Sequence, residues 1–259
     1  MVFIRSLIFN ILFYLVLVLL ILSGLPCLFQ DRHAAQNLGR RWGRTSLFLL
    51  EKICGMRVEF RNLENIPAGA CIIASKHQSM LETMLLPLHA EDFSYILKRE
   101  LMLLPFFGWY LAKAEQIGIN RAKGSAALND LTRQAGKILG EGRQIIIFPE
   151  GTRRPPGAPA HYKAGVAFLY AGSHVPCVPV AVNTGLFWPR RRFLRRPGTV
   201  VIEYLEPIAP GLDKKTFMKE LETQIEAATN RLMQEALKAD PSLGQGLAAA
   251  NATIAPEAL

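Results

Sequence analysis

The chain has 259 residues, with 30 Lys or Arg against 21 Asp or Glu, a formal net charge of +9. With 20% charged and 9% aromatic residues it is neither a disordered polyelectrolyte nor a polytopic membrane protein. Its four cysteines, Cys27, Cys54, Cys71 and Cys177, stand far apart without a C-x-x-C pair, which excludes a disulfide scaffold and a zinc ribbon and makes a reducing compartment the default.

From the N-terminus, Leu7 to Leu22 is apolar at every position except Asn10. If helical at about 1.5 Å per residue, the longer stretch Leu7 to Phe29 just crosses a hydrocarbon layer of about 30 Å. A cleaved signal peptide is the main rival. No A-x-A site follows, however, and Pro26 stands where a lipoprotein cysteine at Cys27 would need a small residue, so the segment is expected to stay as an anchor. Arg32, Arg40, Arg41 and Arg44 follow it and a single Arg5 precedes it, which by the positive-inside rule places the remainder on the cytoplasmic side of a cell membrane. Between Asp31 and Met56, Leu38, Trp42, Thr45, Leu49 and Ile53 recur at helical spacing with arginines on other faces. That pattern fits an interfacial helix and a surface helix of a globular domain equally well.

From Arg57 onward, β-rich runs alternate with helical stretches. Strands are predicted at Arg57 to Phe60, Ala70 to Ala74, Tyr95 to Leu97, Gln144 to Phe148, Val178 to Val182 and Thr199 to Leu205. Helices are predicted at Ser79 to Leu88, Ser125 to Leu139 with Ser125 as N-cap, Gly165 to Ala171, and Asp213 to Ala239 with Asp213 as N-cap. The alternation predicts an α/β fold with a central mixed, largely parallel sheet covered by helices. Residues 1–56 read as the anchor and amphipathic helix and 57–239 as one domain. Residues 240–259, rich in Ala, Gly and Pro, read as a disordered tail.

Four segments can carry chemistry. Ser75 to Glu82 follows an apolar strand, where open α/β sheets place functional groups. On one continuous helix His77 and Glu82 would lie about 140° apart, so they meet only if His77 sits in the turn before the helix, an arrangement that Ser79 as N-cap predicts. Glu82 could then hold one imidazole nitrogen while the other takes a proton from an alcohol. Ser79-x-x-Glu82 also has the spacing of a capping box, in which Glu82 would only satisfy the Ser79 N–H. Phe148 to Arg153 bends sharply at Pro149 and Gly151, and Thr152 and Arg153 offer donors for a phosphate; a plain β-turn is the alternative. Gly118 to Arg121 is a further short segment ending in a cation, and Val175 to Val180 carries two prolines at the entry to a strand, as a rigid edge connection would.

Together and in this order, these segments resemble the glycerolipid acyltransferase family, in particular its 1-acylglycerol-3-phosphate acyltransferases, over roughly Asn65 to Ala239. Phe148 to Arg153 matches the third family motif at every position, Val175 to Val180 the fourth, and Gly118 to Arg121 the second. The first motif ordinarily reads His, four residues, Asp; here the acid is Glu82, one methylene longer, which alters the reach to His77. Further similarity lies in Lys98, Glu100 and Leu101, in Pro105 and Gly108, in Lys163 and Gly165, and in Trp188 to Gly198.

The resemblance implies that His77 is a general base acting on the sn-2 hydroxyl of lysophosphatidate, with Glu82 fixing its tautomer and no acyl-enzyme. The acyl donor would be a thioester of coenzyme A or of acyl carrier protein. The resemblance further implies a phosphate pocket of Arg153 with Lys98 and Arg121, and a glycerol site shaped by Glu150 and Gly151 with Thr152 beside them. Backbone N–H groups of the His77 turn are expected as oxyanion donors. No cofactor and no metal is expected, because His33, His77, His89, His161 and His174 show no ligand spacing. Arg190, Arg191, Arg192, Arg195 and Arg196, among Phe187, Trp188 and Phe193, could lie against anionic headgroups or meet the phosphates of a donor; membrane contact is placed first, ahead of a solvated basic loop and of nucleic-acid binding. The alternatives are an acyltransferase for another lysolipid, such as a lyso-aminolipid, or for glycerol 3-phosphate, and a non-catalytic lipid-binding protein.

Overall fold

The computed structural model describes residues 1–120 and 124–244. Short β-branched runs set up a sheet of seven strands: β1 Met56–Arg61, β2 Ile72–Ser75, β3 Phe93–Lys98, β4 Ile117–Ile119, β5 Gln144–Ile147, β6 Cys177–Val182 and β7 Gly198–Tyr204. Their spatial order is β1-β7-β6-β2-β5-β3-β4. β6, β2, β5, β3 and β4 run parallel; β7 joins β6 antiparallel and carries β1 parallel on its far side. The expected mixed, largely parallel sheet is therefore present. β4 was not predicted, because Ile-Gly-Ile is too short to carry a periodicity.

Alternation along the strands fills two cores. Ile73, Ile146, Val178, Val180 and Ile202 point to one face, under α3 (Leu81–Leu85) and the N-terminal helices α1 (Val2–Ser23) and α2 (Arg32–Leu49). Ile72, Ala74, Ile145 and Ile147 point to the other, under α5 (Ser125–Gly140), α6 (Gly165–Ser173) and α8 (Lys214–Ala239). The predicted caps of α5 and α8 fare differently. Asp213 Oδ1 accepts the Lys215 and Thr216 N–H groups at 2.9 and 3.1 Å as expected, whereas α5 takes Gly124 at its N-cap and Ser125 inside the helix. A short helix, α4 (Phe107–Lys113), follows β3, and another, α7 (Thr184–Phe187), follows β6.

The N-terminal segment differs from its sequence reading in two ways. First, α1 is docked along its leading half. Phe9 and Phe13 are buried against Trp188, with ring centroids 5.5 and 5.6 Å away, and Ser6 Oγ accepts the Arg195 N–H at 2.8 Å. Arg195, expected to face lipid, instead lies over the Trp188 ring and donates to Asn10 Oδ1 at 2.9 Å; its burial pulls its pKa down to about 10. Arg191 and Arg192 of the same loop are exposed. Second, α2 turns Arg40 inward rather than outward. Its guanidinium donates to the carbonyls of Pro87, Ala90 and Glu91, which have no strand or helix partner to offer, and this bolts α2 to the β2–β3 connection. The apolar stripe meets α1 instead, with Trp42 5.2 Å from Phe13. At the other end, Asp240–Gly244 belongs to the folded body, since Pro241–Gly244 forms a 3-10 turn with Leu243 buried; residues 245–259 of the expected tail lie outside the described residues.

All four cysteines are free, and three are buried. Desolvation raises the thiol pKa of Cys54 to about 11 and that of Cys71 to about 12, and pushes Cys177 higher still. An aromatic disulfide reagent at pH 8 is therefore expected to titrate Cys27 alone in the folded protein and all four thiols in guanidinium; rapid reaction of a second thiol in the folded state would contradict this packing.

Candidate active site

The chain leaves β2 for the face of α3 and leaves β5 for the opposite face, that of α6. Neighbouring strands whose connections part in this way open a crevice at their carboxyl ends, the place where such sheets hold ligands. His77 follows β2 and Phe148 to Arg153 follows β5, so the two most specific segments of the sequence face one another across this crevice.

Beyond Ser75 the chain does not turn helical until Leu81, two residues later than predicted, and Met80 rather than Ser79 takes the N-cap position. Ser79 Oγ still accepts the Leu81 N–H at 3.2 Å. Pro87 cannot donate to a continued helix, so α3 ends at Leu85 and Leu86–Leu88 tightens into a 3-10 turn. His77 consequently lies in the turn before the helix, and Glu82 in the first helical turn points back at it. Glu82 Oε1 accepts from His77 Nδ1 at 2.9 Å, from the Gln78 N–H at 2.8 Å and from the Ser79 N–H at 2.7 Å; Oε2 accepts from the Thr184 hydroxyl at 2.7 Å. The capping interaction and the His–acid pair are thus made by the same carboxylate. The extra methylene of Glu82 does not prevent the contact. Because a carboxylate only accepts, Nδ1 carries the hydrogen and Nε2 is left as the basic nitrogen. The ring is stacked on Phe148 at 3.9 Å, which fixes its plane.

Oxyanion donors were expected among the N–H groups of this turn, and three of those groups are already engaged. Those of Gln78 and Ser79 serve Glu82, and that of His77 donates to Glu150 Oε2 at 3.1 Å. The backbone of this turn is spent on holding the dyad, so it has none of these three donors left for an oxyanion.

Glu150 also departs from expectation. It is buried beneath the turn, its Oε1 accepting from Lys76 Nζ at 2.9 Å, and both oxygens are committed to the His77 segment rather than to an open pocket. Burial pushes its carboxyl pKa up and Lys76 pulls it back only in part. Lys76 is shared: its Nζ also donates to Glu226 Oε1 of α8 at 2.6 Å, and the Tyr162 hydroxyl donates to the same Glu226 oxygen at 2.9 Å. Arg154 completes the underside, its N–H donating to the His77 carbonyl at 2.8 Å. On the α7 side, the Gly185 N–H donates to Gln78 Oε1 at 3.1 Å, a contact only glycine permits, since a Cβ there would lie 2.6 Å from Pro156 and 2.9 Å from Gln78.

Arg153 is half-buried within reach of the charge of Glu82, and its guanidinium makes no ion pair among the described residues. Desolvation lowers its pKa, the charge of Glu82 opposes that, and the nearby Arg190 and Arg191 add to the lowering. A partly dehydrated cation among like charges is a receptor for an anion. Gly151 and Thr152 form the turn leading to it, with Thr152 exposed. Lys98 is exposed at the carboxyl end of β3, one strand beyond β5, hence two strand spacings or about 10 Å from β2. Arg121 lies outside the described residues. Pro179, read as part of an edge connection, is inside the central strand β6; it falls one residue before pairing with β7 starts at Val180 opposite Tyr204, so little of the ladder is lost.

Sequence reading missed Thr184, Lys76, Tyr162 and Glu226. Thr184 could have been flagged, because it lies two residues beyond the run Val178 to Val182 and so shares the carboxyl rim with His77. Nothing local distinguishes Glu226 from the other carboxylates of α8.

A base paired with an acid beside a half-buried cation suits group transfer to an alcohol, and comparison with known proteins supplies the class: the Acyltransferase family model matches residues 57–183, from β1 to the residue after β6. A 1-acyl-sn-glycerol-3-phosphate acyltransferase of Pseudomonas aeruginosa is 40% identical over 178 residues, 69% of this chain and 68% of its own length. The human 1-acyl-sn-glycerol-3-phosphate acyltransferase beta is 32% identical over 157 residues, 60% of this chain and 56% of its own length. The crystal structure of a 1-acyl-sn-glycerophosphate acyltransferase from Thermotoga maritima covers 90% of this chain and 98% of its own with a TM-score of 0.74; at 24% identity that likeness shows the fold. This chain belongs to the 1-acyl-sn-glycerol-3-phosphate acyltransferase family and is an O-acyltransferase. The chain spans about two thirds of the bacterial relative and just over half of the human one.

Proposed function

We propose that the chain moves an acyl group from a thioester to the sn-2 hydroxyl of 1-acylglycerol 3-phosphate, giving phosphatidate for phospholipid synthesis. The observation that carries the reading is the pairing of the His77–Glu82 dyad with the unpaired, half-desolvated Arg153 across one crevice. His77 Nε2 takes the hydroxyl proton as the oxygen attacks the thioester carbonyl. The tetrahedral intermediate expels the thiolate, and the imidazolium returns its proton to the sulfur, so no acyl-enzyme forms. Glu82 stabilises the imidazolium while it exists. In the acceptor only C3 and an ester oxygen separate the hydroxyl-bearing carbon from the phosphate. The phosphate must therefore bind close to His77, and Arg153, in the turn that follows the adjacent strand β5, suits it better than Lys98. Coenzyme A and acyl carrier protein both supply the required thioester, and the reaction as written needs no cofactor.

Arg153→Ala is expected to raise KM for lysophosphatidate roughly 10- to 100-fold with a smaller change in kcat, since hydrogen bonds to charged groups are worth about 1.5–3 kcal/mol. Acceptor competition checks the assignment. If the purified protein ignores lysophosphatidate and acylates a lyso-aminolipid, both the substrate and the role of Arg153 are wrong.

We further propose that α1 attaches the chain to one leaflet rather than crossing the membrane. It is apolar enough to span, but Ser6, Phe9, Asn10 and Phe13 are held by the body of the protein, so lipid cannot surround its leading half. The flanking arginines favour the cytoplasmic face.

A further inference from the structure

From the end of β3 into the first turn of α4 the chain holds five large apolar side chains in the open: Leu101, Leu103, Leu104, Phe106 and Trp109, with exposures of 39, 73, 46, 43 and 52%. Such a concentration is more than a soluble surface ordinarily carries. Nor is the segment a slack loop. The Gly108 N–H donates to the Leu104 carbonyl at 2.8 Å, and the backbone doubles back so closely that a Cβ on Gly108 would lie 2.1 Å from the Met102 carbonyl oxygen. Phe106 adopts φ +61°, a conformation bulky residues avoid, and its ring meets Trp109 at 4.9 Å. The fold thus builds a rigid apolar wedge and keeps it exposed.

The wedge is fixed to the N-terminal helices. The Tyr110 hydroxyl donates to the Ile21 carbonyl near the end of α1 at 2.6 Å, and Tyr110 and Ala114 pack with Ala35, Leu28 and Leu38. The outer residues of that junction, Leu22 and Phe29, are exposed as well, so the apolar surface runs on from α1 to Trp109. Lys98 and Arg99 at the start of the wedge and Lys113 behind it outnumber Glu100.

We propose that Leu101–Trp109 is a second membrane-inserted element, seated in the same anionic phospholipid leaflet as the outer face of α1. This rests on the one-leaflet reading of α1 and extends it. Leucines enter the acyl region, Phe106 and Trp109 sit at its boundary, and the cations meet lipid phosphates. Because the wedge follows β3, it brings the rim carrying His77 down to headgroup level, where a lysolipid acceptor lies.

The test uses tryptophan emission from the full chain on phosphatidylglycerol vesicles with brominated or plain acyl chains. Trp42 and Trp188 pack against Phe13 behind α1, and Trp109 is the exposed one of the three. Brominated lipid is expected to quench up to about one third of the wild-type emission through a component that Trp109→Phe lacks. Equal quenching of both proteins overturns the proposal and assigns the wedge to a protein partner. In a second arm, Leu103→Glu is expected to lose at least ~10-fold in transfer to vesicle-borne lysophosphatidate while keeping its rate on a monomeric short-chain acceptor. No change with either acceptor, or equal loss with both, overturns it too. If the wild type transfers no acyl group at all, the proposed reaction fails, but the quenching result still decides the membrane contact.

Discussion

His77→Ala is expected to reduce acyl transfer from long-chain acyl-coenzyme A to lysophosphatidate by about 10²–10⁴-fold, the range a positioned general base contributes, with the folded state unchanged by circular dichroism. His77 projects from a turn whose backbone is held independently by Glu82, Glu150 and Arg154, so losing the imidazole leaves those contacts in place. Glu82→Gln separates orientation from structure. The amide can still accept from Gln78 and Ser79, but it no longer compensates an imidazolium, so the rate should fall nearly as far while stability changes little. Direct detection of phosphatidate in detergent micelles is the measurement, and a His77→Ala protein as active as the wild type would remove His77 from the chemistry.

The second large effect falls on stability. Lys76 is buried between Glu150 and Glu226, and Lys76→Met leaves two carboxylates facing one another with Arg154, 3.8 Å from Glu150, as the remaining cation. Removing one partner of a buried charge cluster costs about 3–5 kcal/mol, which for a chain of this size lowers Tm by on the order of 10 °C. Lys76→Met combined with Glu226→Leu should be less destabilised than the sum of the single changes, because the second substitution removes one of the orphaned charges. Strict additivity in thermal unfolding would mean that the two side chains do not interact as the 2.6 Å contact requires.

The sequence yields the strands well wherever a β-branched run is buried on both faces, as in Ile72–Ser75 and Gln144–Ile147, since such runs have no other stable use. It does not yield α4, whose approach passes through a left-handed Phe106 and a Gly108 jammed on Met102, features that read as breakers. The His77–Glu82 contact was legible because both partners lie within one turn, and the turn residues limit how they can meet. Thr184 and Glu226, which complete the surroundings of that pair, lie 102 residues from Glu82 and 150 from Lys76. Contacts across such separations are set by strand order, and the order β6-β2-β5 is not encoded in any local pattern. The buried Arg40 was misread for a related reason: its three carbonyl partners come from the 3-10 turn at Pro87 and the irregular chain at Ala90 and Glu91, whose acceptors no periodicity reveals.

The placement of Glu226 in the last long helix has a bearing on how the protein is made. About 200 residues separate α1 from Glu226, which at ~5–20 residues per second is roughly 10–40 s of synthesis. On the proposed one-leaflet attachment, the nascent chain settles on the bilayer through α1 well before the carboxylate that clamps Lys76 has been added. During that interval the His77 turn lacks its anchor to α8, so on that reading attachment precedes the locking of the turn.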